Sequence, residues 1–197
     1  MGPRLDPDAG TLAQTALLVA LLAVSAQLTV AVGPVPFTLQ TLAVGLVALT
    51  LGPLRAACTV GTYVALGALG LPVFSAMRGG LAMVVGPTGG YIYGFVFAAF
   101  AGSLLRVALC PPAARRGHRL RSAVADVAGL VCSLAVCYAV GTAHFMAVGA
   151  VQGSSQGLAA VLGVCVLPFV VPDALKCAAA FAVAAALRRA VPSVAAQ

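Results

Sequence analysis

Hydrophobic residues run through this chain in long blocks broken by proline, glycine and arginine, without the strict alternation of a half-buried strand. Taking the breaks as boundaries predicts helices over about 11–32, 37–51, 55–71, 89–109, 124–148 and 173–190, with a short helical piece at about 158–167. The first stops before Gly33-Pro34-Val35-Pro36. The second, held between Pro36 and Gly52-Pro53, has about 15 residues and is short for a straight bilayer crossing. Pro72 ends the third, and 72–88 is a loop rich in Gly and Met that carries Arg78. Pro172 is placed to open the last helix, where its missing N–H would be unpaired anyway. Asp173 then falls in a first turn, where the helix dipole favours a carboxylate.

Composition turns these blocks into membrane spans. The chain is 62% hydrophobic and 8% charged, with a mean hydropathy of +1.10. A soluble domain averages about 25% charged residues, so that class is excluded. The expected fold is all-α, an integral membrane bundle of six transmembrane helices forming a single membrane domain over 1–197. Nothing is left over for a sizeable aqueous domain, so any ATP hydrolysis must be done by another protein. No internal repeat is visible.

Charge sets the orientation. The net charge of +7 comes from residues at the ends of apolar segments, with no basic patch interleaved with aromatics, so nucleic acid is not an expected partner. With six helices, Arg4, Arg55, Arg106, the arginines of the 110–122 linker and Arg188-Arg189 share one side, and Arg78 alone falls on the other. Both termini are therefore expected in the cytoplasm of a multi-pass protein of the cell membrane. Val24-Ser25-Ala26 resembles a signal-peptidase site, but Asp6 and Asp8 offset Arg4 and the apolar run continues to Val32, so the segment reads as helix one. The six cysteines lack paired metal-ligand spacing and read as small apolar packing residues. No metal and no cofactor is expected.

Two charges break the apolar run 158–187. Asp173 and Lys176 lie three residues apart and share one helix face. An ionisable residue at the centre of a membrane helix costs about 2.5 to 3.5 kcal/mol, which points to a ligand site or to a self-neutralising structural pair. The segment Gly86-Pro87-Thr88-Gly89-Gly90-Tyr91 offers close backbone approach at Gly89 and Gly90, a cap at Thr88 and a polar-tipped ring at Tyr91; its other reading is a tight loop with interfacial aromatics. Phe37-Thr38-Leu39-Gln40 opens helix two on the same side. Asp126 reads as a helix cap and His144 as a packing residue. Ala16, Ala20 and Ala23 form a small-residue stripe against which another membrane helix can pack.

Read together and in order, Pro34-Val35-Pro36-Phe37-Thr38-Leu39-Gln40-Thr41, Leu51-Gly52-Pro53, Gly67-Ala68-Leu69-Gly70-Leu71-Pro72-Val73-Phe74, Gly86-Pro87-Thr88-Gly89-Gly90-Tyr91 and Pro168-Phe169 with Asp173 and Lys176 resemble the BioY family. These are the biotin-specific substrate-binding subunits, or S components, of energy-coupling factor (ECF) transporters. The resemblance implies capture of biotin at high affinity from outside. It also implies partnership with an ECF coupling subunit and two cytoplasmic ATPases that drive release inward, the whole surrounded by membrane lipid. The stripe of helix one, through Ala16 and Ala20, would contact the coupling subunit.

Biotin carries an apolar thiophane ring, a ureido group with two donors and one acceptor, and a valerate carboxylate. The roles implied are Asp173 accepting a ureido N–H, Lys176 donating to the ureido oxygen or holding Asp173 ionised, and Tyr91 and Phe37 walling the ring. Gln40 and Thr88 would add hydrogen bonds beside Gly89 and Gly90, with Arg78 at the mouth meeting the carboxylate. The chain departs from the family pattern in placing Val171-Pro172, in place of Pro-Gly, directly before Asp173. Rival readings are a binding subunit for another vitamin and, more distantly, an intramembrane enzyme or channel. An enzyme is opposed by the lack of a nucleophile and base pair, a channel by the lack of repeated polar rings.

Overall fold

In the computed structural model, which describes residues 9–30, 35–115, 118–154 and 156–190, the chain forms eight α-helices. They are α1 (Ala9–Gln27), α2 (Gln40–Thr50), α3 (Pro53–Ala68), α4 (Leu81–Val85), α5 (Gly89–Leu109), α6 (Arg119–Val151), α7 (Leu158–Cys165) and α8 (Leu167–Ala190). Four of these, α1, α5, α6 and α8, are long and apolar enough to cross a membrane. The other two helices expected to span, α2 and α3, have 11 and 16 residues.

Several boundaries differ from the sequence reading, each for a local reason. Helix one ends at Gln27 and not at 32, and α2 begins at Gln40 and not at 37, because strands β1 (Thr29–Val30) and β2 (Phe37–Thr38) pair antiparallel between them. The residues 31–34, with Gly33 and Pro34, lie outside the described residues. Helix α6 runs beyond 124–148 at both ends and takes Arg119 and Arg121 out of the expected aqueous linker. Most consequential is α8, which starts at Leu167 and contains Pro172 in its interior. Pro172 therefore does not open the helix, and the bond it cannot make to the Pro168 carbonyl marks a weak point in the ladder. Asp173 lies in the second turn, beyond the first-turn dipole effect.

Helix α2 is the axis of the bundle. Residues 43–50 are all buried, and α8, α5, α1, α6 and α3 pack around it. At 1.5 Å per residue it is about 16 Å long, roughly half a 30 Å hydrocarbon core. A helix this short survives at that depth because protein groups satisfy its ends. Ser103 Oγ donates to the Leu51 carbonyl at 2.7 Å, and Arg106 donates from Nη1 to the Leu49 carbonyl at 2.5 Å and from Nη2 to the Leu51 carbonyl at 3.0 Å. Arg106 is 1% exposed, so it is a structural cation, and its reading as an orientation signal is too simple.

A buried ion cluster closes the same end. Asp126, 2% exposed in its side chain, pairs with Arg188 at 2.6 Å and Arg115 at 3.4 Å. Asp126 therefore does not cap α6 but ties α8 and the linker residue Arg115 to it. Burial pulls the Arg115 guanidinium below its usual pKa, and the neighbouring Asp126 offsets part of that shift. The opposite end holds Asp173, Lys176 and Tyr138. Helices α2, α5 and α8 run from that end toward the arginines, and α6 runs back.

Glycines set the closest helix contact. A Cβ on Gly102 would come within 2.6 Å of the Gly129 carbonyl oxygen, and one on Gly129 within 2.7 Å of the Gly102 oxygen. Small residues there let the backbones of α5 and α6 approach, as membrane helix pairs require.

Replacing Arg106 with alanine strands the buried Leu49 carbonyl and leaves the Leu51 carbonyl with Ser103 alone. Loss of about 3 kcal/mol of stability is expected, read as a lower unfolding midpoint in detergent. A midpoint equal to that of the parent protein would remove Arg106 from this role.

Candidate functional site

Lys176 organises one end of the bundle. It sits one turn after Asp173 on α8 and points at the start of α2, where the short β-ladder leaves the Thr38 carbonyl without a helical partner. Its Nζ donates to that carbonyl at 2.6 Å and to Asp173 Oδ1 at 2.7 Å, and lies 3.8 Å from the centroid of the Phe37 ring. Phe37 in turn stacks on Phe169, with centroids 6.2 Å apart. The ammonium is thus paired, hydrogen-bonded and faced by an aromatic ring, which is how a charge that is 6% exposed is accommodated.

Asp173, 2% exposed, has donors on both oxygens. Thr41 Oγ1 donates to Oδ1 at 2.9 Å, alongside Lys176, and Tyr138 OH donates to Oδ2 at 2.7 Å. A carboxylate offers about four acceptor positions and an ammonium three donors. Three of the former and two of the latter are used by these contacts. One acceptor on Oδ2 and one N–H of Lys176 remain to meet a ligand with a donor beside an acceptor.

Both groups line a cavity of about 660 Å³, counting the part open to solvent. Its remaining wall is mostly apolar, with Tyr91, Ile92, Phe95 and Phe169 alongside the polar Thr38, Gln40 and Thr88. Gln40 Nε2 donates to Tyr63 OH at 2.7 Å, and Tyr63 OH donates to the Val73 carbonyl at 3.0 Å. This chain of bonds joins α2 to α3 and to the loop that follows it. Loop residue Phe74 is buried edge-on against Tyr63 and seated over Gly67, where a Cβ would collide with the ring. Gln27 ties α1 to the same loop, donating to the Phe74 carbonyl at 3.2 Å and accepting from the Met77 N–H at 2.9 Å. Ala76 and Met77 both have φ of 56°, a conformation costly for residues with a Cβ, beside the cavity-lining Ser75.

The structure brings together Asp173, Lys176, Gln40, Thr88 and Tyr91 around this cavity. Phe37 is held beneath the ammonium and is not among the lining residues. Gly89 and Gly90 also lie outside the lining: a Cβ on Gly89 would strike the Val84 backbone and one on Gly90 the His144 ring. Their smallness seats α5. His144 is more than packing, since its Nε2 donates to the Gly86 carbonyl at 2.9 Å and its ring meets Tyr93 edge-on. Arg78 is exposed and lines a separate outer chamber. Ala16 and Ala20 are exposed on α1, whereas Ala23 packs against the core.

Thr41 and Tyr138 were not found by sequence reasoning. A signal for Tyr138 exists, because Gly129, Ser133, Cys137 and Gly141 recur every four residues along α6 and are all buried, with Tyr138 and Thr142 directly beside that stripe. Among the described residues no three His, Cys, Asp or Glu side chains converge as a metal site would require.

The class follows from the fold, a mostly helical bundle with four helices long and apolar enough to cross a membrane. It is shared with the crystal structure of the S-component for biotin from an ECF-type ABC transporter, with a TM-score of 0.77 over 95% of each chain and 22% identity. The probable biotin transporter BioY of Pyrococcus horikoshii is 39% identical over 173 residues, 88% of this chain and 93% of that protein. The biotin transporter BioY of Thermotoga maritima is 48% identical over 94 residues, 48% of this chain and 56% of the relative. The BioY family model matches residues 3–193, and the chain belongs to the BioY family.

The Tyr91 ring fills the space where Gly141 lacks a side chain, and Tyr91 OH lies 3.3 Å from Thr142 Oγ1. Substituting Gly141→Ala overpacks this contact and is expected to cost about 1 to 3 kcal/mol in denaturation. Adding Tyr91→Leu should recover most of that loss. If the double variant is no more stable than Gly141→Ala, the strain lies elsewhere.

Proposed function

We propose that this chain captures biotin and serves as the substrate-binding subunit for its uptake by an ECF-type transporter. The observation that carries the reading is the charged end of the cavity, in a chain that belongs to the BioY family. Asp173 Oδ2 has an acceptor position free for a ureido N–H, and the adjacent Lys176 ammonium has an N–H for the ureido oxygen. The apolar wall of Tyr91, Ile92, Phe95 and Phe169 suits the thiophane ring. Thr41 and Tyr138 hold the Asp173 carboxylate in its orientation, so the site is preorganised before ligand enters. Gln40 and Thr88, with Thr38 and Ser75, add to the polar lining, and Gly89, Gly90 and Phe37 act through packing.

The six helices α1, α2, α3, α5, α6 and α8 each traverse the membrane in this reading, as one membrane domain. The termini and the Arg106 cluster lie in the cytoplasm and the Asp173 cavity faces outside. In the cell membrane the exposed face of α1 at Ala16 and Ala20 is the docking stripe for an ECF coupling subunit, itself bound to two cytoplasmic ATPases. Capture and release, not catalysis, is the activity.

Equilibrium binding to the purified chain tests this, with biotin expected to bind below micromolar concentration. Lys176→Ala leaves Asp173 without its cation and removes a ligand donor, so affinity should fall by about 2 to 3 kcal/mol, roughly 30- to 150-fold. Unchanged affinity in that variant would reduce the pair to a structural one. A co-purifying molecule of another mass would assign the cavity to a different vitamin.

A further inference from the structure

The Asp173 cavity has a neighbour. A second chamber of about 950 Å³, again counting space open to solvent, shares Met83 and Thr88 with it. Helix α7 borders both, with Cys165 on the inner chamber and Val161, one turn earlier, on the outer. On α6 the outer wall begins at Phe145, about 11 Å along the helix from Tyr138, and its rim at Gln152 is about 21 Å away.

The charges are divided between the chambers in a specific way. The inner one holds its only cation, Lys176, at the Asp173 end, where it is already engaged. The two residues common to both linings, Met83 and Thr88, are neutral. The outer chamber has one cation, Arg78, and no carboxylate in its lining. An anion that meets Arg78 therefore lies on the far side of Met83 and Thr88 from Lys176, and a ligand long enough to reach both chambers has to pass this neutral neck. A neutral amide crosses such a neck at lower desolvation cost than an ionised carboxylate.

Resting on the biotin reading above, the geometry points to a ligand class wider than the free vitamin. The site takes biotin extended at its carboxyl end through an amide, with the extension in the outer chamber and a second anionic group there on Arg78. Biotinyl-lysine is the simplest such molecule. Its ureido end sits at Asp173, its amide passes Met83 and Thr88, and its α-carboxylate faces Arg78. Free biotin uses only the inner chamber and the neck.

The experiment is displacement of labelled biotin from the purified full chain by unlabelled biotin and by biotinyl-lysine. Biotinyl-lysine is expected to compete within about tenfold of biotin. In Arg78→Gln the loss of a charge-assisted bond should weaken biotinyl-lysine about tenfold or more while biotin changes less than about threefold. Biotin binding intact with biotinyl-lysine weaker by about a thousandfold would overturn the inference and leave the biotin reading standing. Equal losses of both ligands in Arg78→Gln would also overturn it. Failure of both to bind the parent chain would remove the biotin reading and the inference together.

Discussion

Every polar group that enters the hydrocarbon region must find its partner within the protein, and in this chain that constraint is concentrated on α2. A helix of 11 residues surrounded by five others has almost no contact with lipid and none with bulk water along its middle. Its two ends are therefore the places where buried charge is tolerated. At one end Arg106 and Ser103 take the last carbonyls; at the other Lys176 takes the Thr38 carbonyl just before the helix begins. Arg106 and Lys176 are buried for those two tasks.

The two ends differ in how the charge is balanced. Beside the cavity one carboxylate faces one ammonium, and hydroxyls of Thr41 and Tyr138 complete the carboxylate. The cluster at the opposite end sets Asp126 against Arg115 and Arg188, with Arg106 nearby committed to backbone carbonyls. A neutral pair with spare hydrogen-bonding capacity is suited to a reversible guest. Three guanidiniums held by one carboxylate and by carbonyls are suited to fixing helices α2, α5, α6 and α8 in place. The same chemistry thus serves exchange at one end and permanence at the other.

How much of this was legible in the sequence depended on whether a feature is local. The limits of α5 coincide with the sequence reading because Pro87 and Gly89 on one side and Pro111 on the other act within a few residues. Asp173 and Lys176 stood out because charge in an apolar run is costly wherever it points. Pro172 misled, since a proline is tolerated inside a membrane helix when surrounding groups compensate, and only the packing of α7 and α8 reveals that. Arg106 looked like the basic end of a span, because its partners, Leu49 and Leu51, are more than fifty residues away. Tyr138 is one apolar-looking residue among many until α8 supplies Asp173 to bond with. Arg78 was expected at the mouth of the cavity, but which chamber a loop residue lines is set by a backbone turn at Ala76 and Met77 that residue types there do not announce.

The enclosure of α2 has a further consequence for how the molecule comes into being. A helix with so little lipid face gains little from the bilayer alone, so its place is secured only as its neighbours arrive. Two of the groups it relies on, Arg106 and Lys176, lie 56 and 126 residues beyond Thr50 in the chain. During synthesis α2 is therefore made long before it is stable, and the cavity beside it takes shape last, when α8 enters. Assembly and readiness to bind are in this sense a single event, completed when α8 is in place.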